Sequence, residues 1–370
     1  MEPRINVYVH LAYGFDAVKW QQAWQAGTKI GLNEEFPYGY HHAEAFGARV
    51  VYSTDYRENA LQKYLRYALR VVAGFDFIHA WRNRRHMLAA DVVWTHTESQ
   101  SLAVLLVFGL GKAAPRPKII AQSVWLYDEW PRFNWVKQAF YRKLLRTADI
   151  LSVHSPLNRD VAIGLFPRQR IELVKFGIKA DFDQMSKSSP LGRPIRVLSL
   201  GNDRHRDWDT LISAVRNQPG VEAKFATASL KPLADASNIA VVRARDNFEL
   251  FGLFDWADVV VVALKPNLHA SGITVIEEAV ILGLPVICSR EGGLDAYFGR
   301  EEVFYVESRN PEQLRAAIEC LAYDDGLRTA LIRNARRRLY DDELTSQGFA
   351  RRHVELSRQI LGKTDPAAGW

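Results

Sequence analysis

"HASGITVIEEAVILGLPVICSREGG", residues 269–293, carries a turn, a helix and a strand in immediate succession. Ala270-Ser271-Gly272 is a small-residue turn able to open a helix, with Ser271 placed to cap it. Residues 274–282 predict a short apolar helix, Gly283 stops it, and residues 286–288 predict a buried strand. Just upstream, residues 259–263 predict another buried strand. Strand, helix and strand in this order form a parallel crossover unit. Glu277 and Glu278 interrupt the apolar helix. An unpaired carboxylate is costly to bury, so such a group meets solvent or a ligand.

The same alternation extends in both directions. Strands are predicted at 5–10, 49–52, 91–95, 118–124 and 150–154, with helices at 15–26, 99–110 and 135–147 between them. The polar stretch "SKSSPLGRP", residues 186–194, then breaks the pattern. It restarts with a strand at 196–200, a helix at 208–217, a strand at 223–227 and a late helix at 311–323. The expected architecture is α/β: two Rossmann-like, doubly wound domains facing a cleft, with ligands at the carboxyl ends of the strands. The expected division is 1–183, a linker at 184–194, a second domain at 195–355, and a tail at 356–370 that crosses back to the first.

At 370 residues with 48% hydrophobic and 24% charged content, the chain suits two globular domains. Its two cysteines, Cys288 and Cys320, offer neither a disulfide framework nor metal-ligand spacing. The N-terminus reads directly into a strand, and the longest apolar run, 102–110, is too short to span a bilayer. These features predict a cytoplasmic protein. Residues 1–185 hold 24 Lys+Arg against 17 Asp+Glu, whereas the remainder is near neutral. The first domain is therefore expected to meet an anionic partner.

"SLGNDRHRDWDTL", residues 199–211, places Gly201 and a polar loop between a strand and a helix, where backbone amides can face an anion. Asn202, Arg204 and Arg206 lie in this loop. The helix start at Ser271–Thr274 supplies a second such terminus. Together they suit a diphosphate, with Glu278 one turn further on as an acceptor for ribose hydroxyls.

At this point a resemblance becomes specific. "EEAVILGLPVICSREGG" resembles the Glu-Ala-x-x-x-Gly-x-Pro-Val segment of retaining glycosyltransferases with the GT-B fold, family 4 in particular. "VLSLGNDRHRDWDTLISAV", "LLRTADILSVHSPLNRDV", "IELVKFGIKADFD" and "NPEQLRAAIECLAYDD" are similar to further segments of that family, in the same order across residues 90–360. The resemblance implies that Glu278 binds the donor ribose. It also implies that Gly272, Ile273, Thr274 and the neighbouring Val275 line donor sugar and phosphate, and that Arg206 stands where the family has a diphosphate-binding lysine. Two positions depart from the pattern. Ala270 replaces the first motif glutamate, and Asn202 replaces an arginine.

In the first domain, His96 and Glu98 follow a strand. His96 is a candidate catalytic residue because the family often has a histidine near this point, and Glu98 is a candidate acceptor contact. His10, the Ala12-Tyr13-Gly14 loop, and the pair His41-His42 are further acceptor candidates; no third ligand at suitable spacing makes that pair a metal site. Asp128 and Glu129 are candidate bases if the reaction inverts configuration. Asp181-Phe-Asp183 and Asp207-Trp-Asp209 are read as structural, so no metal or other cofactor is expected beside the nucleotide-sugar co-substrate.

"RENALQKYLRYALRVV", residues 57–72, and "RFNWVKQAFYRKLLR", residues 132–146, predict basic helices carrying apolar and aromatic faces. Each either packs that face on the core or docks on an anionic membrane. The expectation is a nucleotide-sugar glycosyltransferase, UDP-type donors included, acting on a glycan or lipid-linked acceptor in polysaccharide biosynthesis at the inner face of a membrane. A sugar-nucleotide epimerase on the same fold is the nearest rival. A nicotinamide enzyme lacks its Gly-x-Gly-x-x-Gly loop, and no nucleic-acid-binding motif is present.

Overall fold

Val and Ile runs buried on both faces make parallel strands, and a computed structural model of the chain contains two such sheets. It describes residues 4–109, 116–181 and 193–363. The first sheet comprises β1 (Ile5–His10), β2 (Ala48–Tyr52), β3 (Val92–Thr95), β4 (Lys118–Ser123), β5 (Ile150–Val153) and β6 (Ile171–Leu173), in the order β2-β1-β3-β4-β5-β6. The second comprises β7 (Ile195–Leu200), β8 (Val221–Ala226), β9 (Ile239–Val242), β10 (Val259–Val262), β11 (Val286–Ser289) and β12 (Phe304–Val306), in the order β12-β11-β10-β7-β8-β9. Every pairing is parallel.

The chain divides into two compact units, and the division differs from the sequence expectation. One unit comprises 1–23, 34–175 and 346–370; the other comprises 24–33 and 176–345. The change of unit thus falls at Lys175/Phe176, ahead of the polar stretch, of which residues 186–192 lie outside the described residues. Asp183 of the first Asp-x-Asp also lies outside them. The return to the first unit begins at Ser346, ten residues earlier than composition indicated, with the helix Ser346–Ile360. That helix is bound by specific contacts within its unit: Trp94 Nε1 donates to Ser357 Oγ at 2.9 Å, and Arg358 donates to Phe46 O at 2.8 Å.

In the second unit the core lies on both faces of the sheet. Leu198, Val260, Val262 and the helix Ile273–Ile281 fill one side, and Val197, Val259, Val261 and the helices Trp208–Val215 and Pro311–Tyr323 fill the other. Consecutive residues of β10 therefore serve opposite layers. This is why that strand is an unbroken valine run.

Candidate functional site: a buried arginine at the switch point of the second sheet

Between β7 and β10 the strand order reverses, with β8 and β9 built outward on one side and β11 and β12 on the other. In open parallel sheets this crevice at the carboxyl ends is where ligands bind. The loop after β7 begins at Gly201, and the segment after β10 runs to the helix start at Gly272. Two short pairings hold them side by side: Lys265 N–H donates to His205 O at 2.7 Å, and Asp207 N–H to Ala263 O at 2.9 Å.

Arg206 lies between the two loops. Gly201 (φ +134°) and Gly272 (φ +88°) both face its guanidinium: a Cβ at Gly201 would collide with Nε, and one at Gly272 would fall 2.6 Å from Nη1. Only residues without a side chain leave room for it. Arg206 is 4% exposed, and its Nε and Nη1 have no hydrogen-bond partner among the described residues. Burial pushes its pKa down, against the pull of Asp203. A buried cation with open donors is costly unless an anion completes it.

The helix start corrects one expectation. Ser271 does not cap the helix: the N-cap is Gly272 in the left-handed region, and Ser271 Oγ is buried with no hydrogen-bond partner among the described residues. Instead Asn267 Oδ1 accepts from Ser271 N–H at 3.2 Å, and Ile273 N–H is taken by Ala270 O at 3.1 Å. Ile273 therefore does not offer its amide. Thr274 and Val275 carry the first-turn amides that geometry leaves without an intrahelical acceptor. Gly283 ends the helix as expected, with Leu284 N–H on Ala279 O at 2.8 Å. Asn202 is exposed and its side-chain oxygen accepts from Ala228 N–H at 2.7 Å and Thr227 Oγ1 at 3.1 Å, so it braces the neighbouring loop; Arg204 is exposed. Asp207 caps the helix Trp208–Val215, in keeping with its structural reading.

Neither glutamate of the opening helix reaches solvent: Glu277 is 0% and Glu278 6% exposed. Leu32 N–H donates to Glu278 Oε1 at 3.1 Å. Burial pushes the Glu278 pKa up to about 7, and the Leu32 amide opposes that shift. Leu32 was not foreseen, because its segment joins this unit from far upstream in the chain.

In the first unit, a cavity of about 230 Å³ at the ends of β1 and β3 is lined by His10, Tyr13, Arg70, His79, Glu98 and Trp125, among others. The sheet order also reverses there. His10 is buried and stacked on His79, ring centroids 5.0 Å apart, and burial holds its pKa well below the usual imidazole value. Glu98 Oε2 accepts from Val124 N–H (3.0 Å) and Trp125 N–H (3.2 Å). His96 lies under Tyr38, with ring centroids 3.5 Å apart, and Tyr40 Oη is 3.1 Å from its Nδ1; burial keeps it neutral. Gly14 does not line the cavity, and its N–H is spent on Asp55. Asp128 and Glu129 fall on the short helix Leu126–Glu129, outside the cavity lining, with Glu129 paired to Arg132 at 3.1 Å. His79 and Arg70 were missed because each sits on a helix and carries no motif.

His41 and His42 are also away from this cavity, and the spacing argument against a third ligand fails. Glu34 folds back onto them, with Oε1 2.9 Å from His42 Nε2.

The two basic stretches resolve differently from each other: the helix Trp135–Leu145 packs Tyr141, Leu144 and Leu145 into the core, whereas the helix Ala60–Ala73 leaves its apolar side chains exposed. In the helix Ala60–Ala73 only Arg66 is buried, while Leu61, Tyr64 and Val72 are 76%, 73% and 85% exposed. In the helix Trp135–Leu145, Trp135 is 80% exposed. Tyr141 Oη donates to Ala73 O at 2.8 Å, joining the two helices.

Residues 235–338 match the family model of glycosyl transferases group 1. Similar solved structures include a sucrose-phosphate synthase from Thermosynechococcus elongatus (15% identity, TM-score 0.70, covering 96% of this chain and 99% of that one). Anabaena HepE, solved with UDP-glucose, aligns at 13% identity and TM-score 0.64, covering 97% and 99%. A UDP-forming α,α-trehalose-phosphate synthase from Burkholderia vietnamiensis aligns at 13% and 0.63, covering 97% and 99%. The fold is GT-B. A comparison with curated proteins gives no match. The group 1 segment of this GT-B chain contains β10, the Gly272 turn and Glu278, which is the half of the site that meets Arg206.

Proposed function

We propose that the protein is a glycosyltransferase that moves a sugar from a nucleoside-diphosphate sugar to an acceptor hydroxyl. The observation that carries this reading is Arg206, buried at the switch point with two guanidinium donors unpaired. As the bond from sugar to diphosphate breaks, negative charge grows on the leaving phosphate. Arg206, joined by the Thr274 and Val275 amides and the helix dipole, is organised in advance to receive it. This supply of positive charge lets the chemistry proceed without a metal cofactor. Glu278, held by Leu32, offers its other oxygen to the ribose diol. The family resemblance favours retention of configuration, and the UDP complexes among the structural neighbours favour a uridine donor.

The cavity of His10, His79 and Glu98 is the proposed acceptor pocket; His96, at the end of β3, is not among its lining residues. A glycan or lipid-linked acceptor for polysaccharide synthesis is the reading that also uses the exposed helices. Their apolar side chains are interleaved with Lys63, Arg70, Lys137 and Lys143, which suits the inner, anionic face of a membrane. Among the described residues no helix is long and apolar enough to cross one.

The test is a thermal-shift screen of UDP-, GDP- and ADP-sugars, since a ligand stabilises the state it binds. One donor class should raise Tm in wild type and much less in Arg206→Ala or Glu278→Ala, with Glu277→Ala less affected. Product analysis with that donor should show transfer and not isomerisation of the free sugar nucleotide. Equal shifts in wild type and Glu278→Ala would remove the ribose assignment.

A further inference from the structure

Two clusters of His and carboxylate bring three ligand atoms within 4.8 Å of one another: Asp203 with His205 and His269, and Glu34 with His41 and His42. They differ in how far the protein already completes them. In the first, Asp203 Oδ2 lies 2.9 Å from His269 Nε2, and Oδ1 lies 3.1 Å from His205 Nδ1 while accepting the His205 amide at 2.8 Å. That is a closed hydrogen-bonded set tying the two loops around Arg206. The second is open. His42 Nε2 meets Glu34 Oε1, but His41 Nδ1 is buried with no hydrogen-bond partner among the described residues.

The backbone is shaped to make this second cluster. Between Glu34 and His41 the chain passes through the left-handed region at Tyr38 (φ 54°) and Gly39 (φ 71°), which breaks the 3-10 segment Pro37–Phe46. A non-glycine residue held there costs of order 1 kcal/mol and persists only where surrounding structure imposes it. The kink turns the two imidazoles back over the carboxylate, their ring centroids 4.1 Å apart. Ser346 Oγ donates to Glu34 Oε1, fixing the carboxylate from the second side. Burial and His42 push the His41 pKa down, and Glu34, Glu35 and Glu44 act on it in the opposite sense. Glu34 and His42 keep 11% and 19% side-chain exposure, so an ion can enter.

We propose that Glu34, His41 and His42 bind one divalent transition-metal ion, with a fourth position open to water. Two imidazoles and one carboxylate form a donor set for Zn²⁺ and its neighbours, whereas Ca²⁺ and Mg²⁺ take oxygen ligands. Ligands at Zn–N and Zn–O distances of about 2.1 Å stand roughly 3.4 Å apart in a tetrahedron, so side-chain shifts of about an ångström complete the site. Ser346 is its positioning residue. The site belongs to the first unit and is independent of the Arg206 reading.

The experiment uses the full-length protein stripped with chelator and titrated with ZnCl₂ by calorimetry, and with CoCl₂ by visible absorption. The expected result is one Zn²⁺ per chain at micromolar affinity or tighter, a Co²⁺ spectrum of low coordination number, and no competition by excess Mg²⁺. His41→Ala and His42→Gln should abolish the spectrum while keeping the circular dichroism of the apo protein. Ser346→Ala should weaken binding roughly 10- to 100-fold, the scale for losing an outer-shell partner. His205→Ala should leave binding unchanged. Absence of one-to-one binding, or binding that survives His41→Ala and disappears in His205→Ala, overturns the proposal.

Discussion

Arg66 and Arg206 are both buried, at 3% and 4% exposure, yet they are opposites. Arg66 is saturated: Nε bonds both Glu58 oxygens at 3.0 Å, Nη1 bonds Asp76 at 2.7 Å, and its guanidinium lies 4.0 Å from the Tyr13 ring centroid. Despite burial, those carboxylates push its pKa up. At Arg206 burial outweighs the pull of Asp203, and its pKa goes down. One arginine is consumed by the fold. The other keeps two guanidinium donors with no hydrogen-bond partner among the described residues. The two can be told apart only by what surrounds them, since both are arginines in helix-rich sequence.

The largest effect should separate them directly. Arg66→Ala deprives Asp76 of its arginine and leaves Glu58 with Arg82 alone, and should cost about 3–5 kcal/mol in denaturant unfolding. Arg206→Ala removes an uncompensated charge and should leave the ligand-free protein as stable as wild type or more so. A comparable loss in both variants would make Arg206 structural and dissolve the contrast.

Glu278 sharpens the same comparison with a pH profile. Its ordinary value is 4.5 and its folded value about 7, so the folded state holds the proton more tightly. The resulting stability is fully present below pH 4.5 and is lost as pH rises through about 7. Wild type should lose up to about 3 kcal/mol more than Glu278→Gln across that window. Parallel profiles would show that the carboxyl is not held as described.

Turnover is the next measure. Arg206→Ala should lower it about 10²-fold, the scale for one preorganised electrostatic group, and wild-type transfer should survive EDTA. Loss in EDTA that Mg²⁺ restores would return the phosphate charge to a metal. The smallest effect per residue concerns the exposed helices: each Lys or Arg near an anionic leaflet adds up to about 1 kcal/mol. Binding to phosphatidylserine vesicles should fall with salt, and should fall again when Arg132, Lys137, Arg142 and Lys143 become Gln. Protein that stays in the supernatant at low salt would leave those helices without their proposed partner.

The sheets were legible because strands buried on both faces must be apolar throughout, as the valines of β10 are. The unit boundary was not. Polar composition marks where a chain can be exposed, whereas residues 24–33 and 346–360 are assigned by what they pack against. Arg206 and Glu278 were legible through a motif in one segment of chain. Leu32, His79 and Glu34 join their sites through tertiary folding alone. Periodicity gave the helix 60–73 an apolar face but could not say that nothing among the described residues covers it. The Ser271 cap failed because Gly272, in the left-handed region, is the N-cap and brings no side chain to the first-turn amides, while Asn267 takes the Ser271 amide.

The helix Ser346–Ile360 sets an order of events at the ribosome. Trp94 and Tyr40 emerge early, but Ser357 and Phe349, which they meet, are made only after the whole of residues 176–345. At translation speeds of about 5–20 residues per second, the first unit waits roughly 10–30 s for its last helix. During that interval Trp94 and Tyr40 lack their partner helix while the second unit is itself being made. The unit that is begun first is therefore the last to be completed.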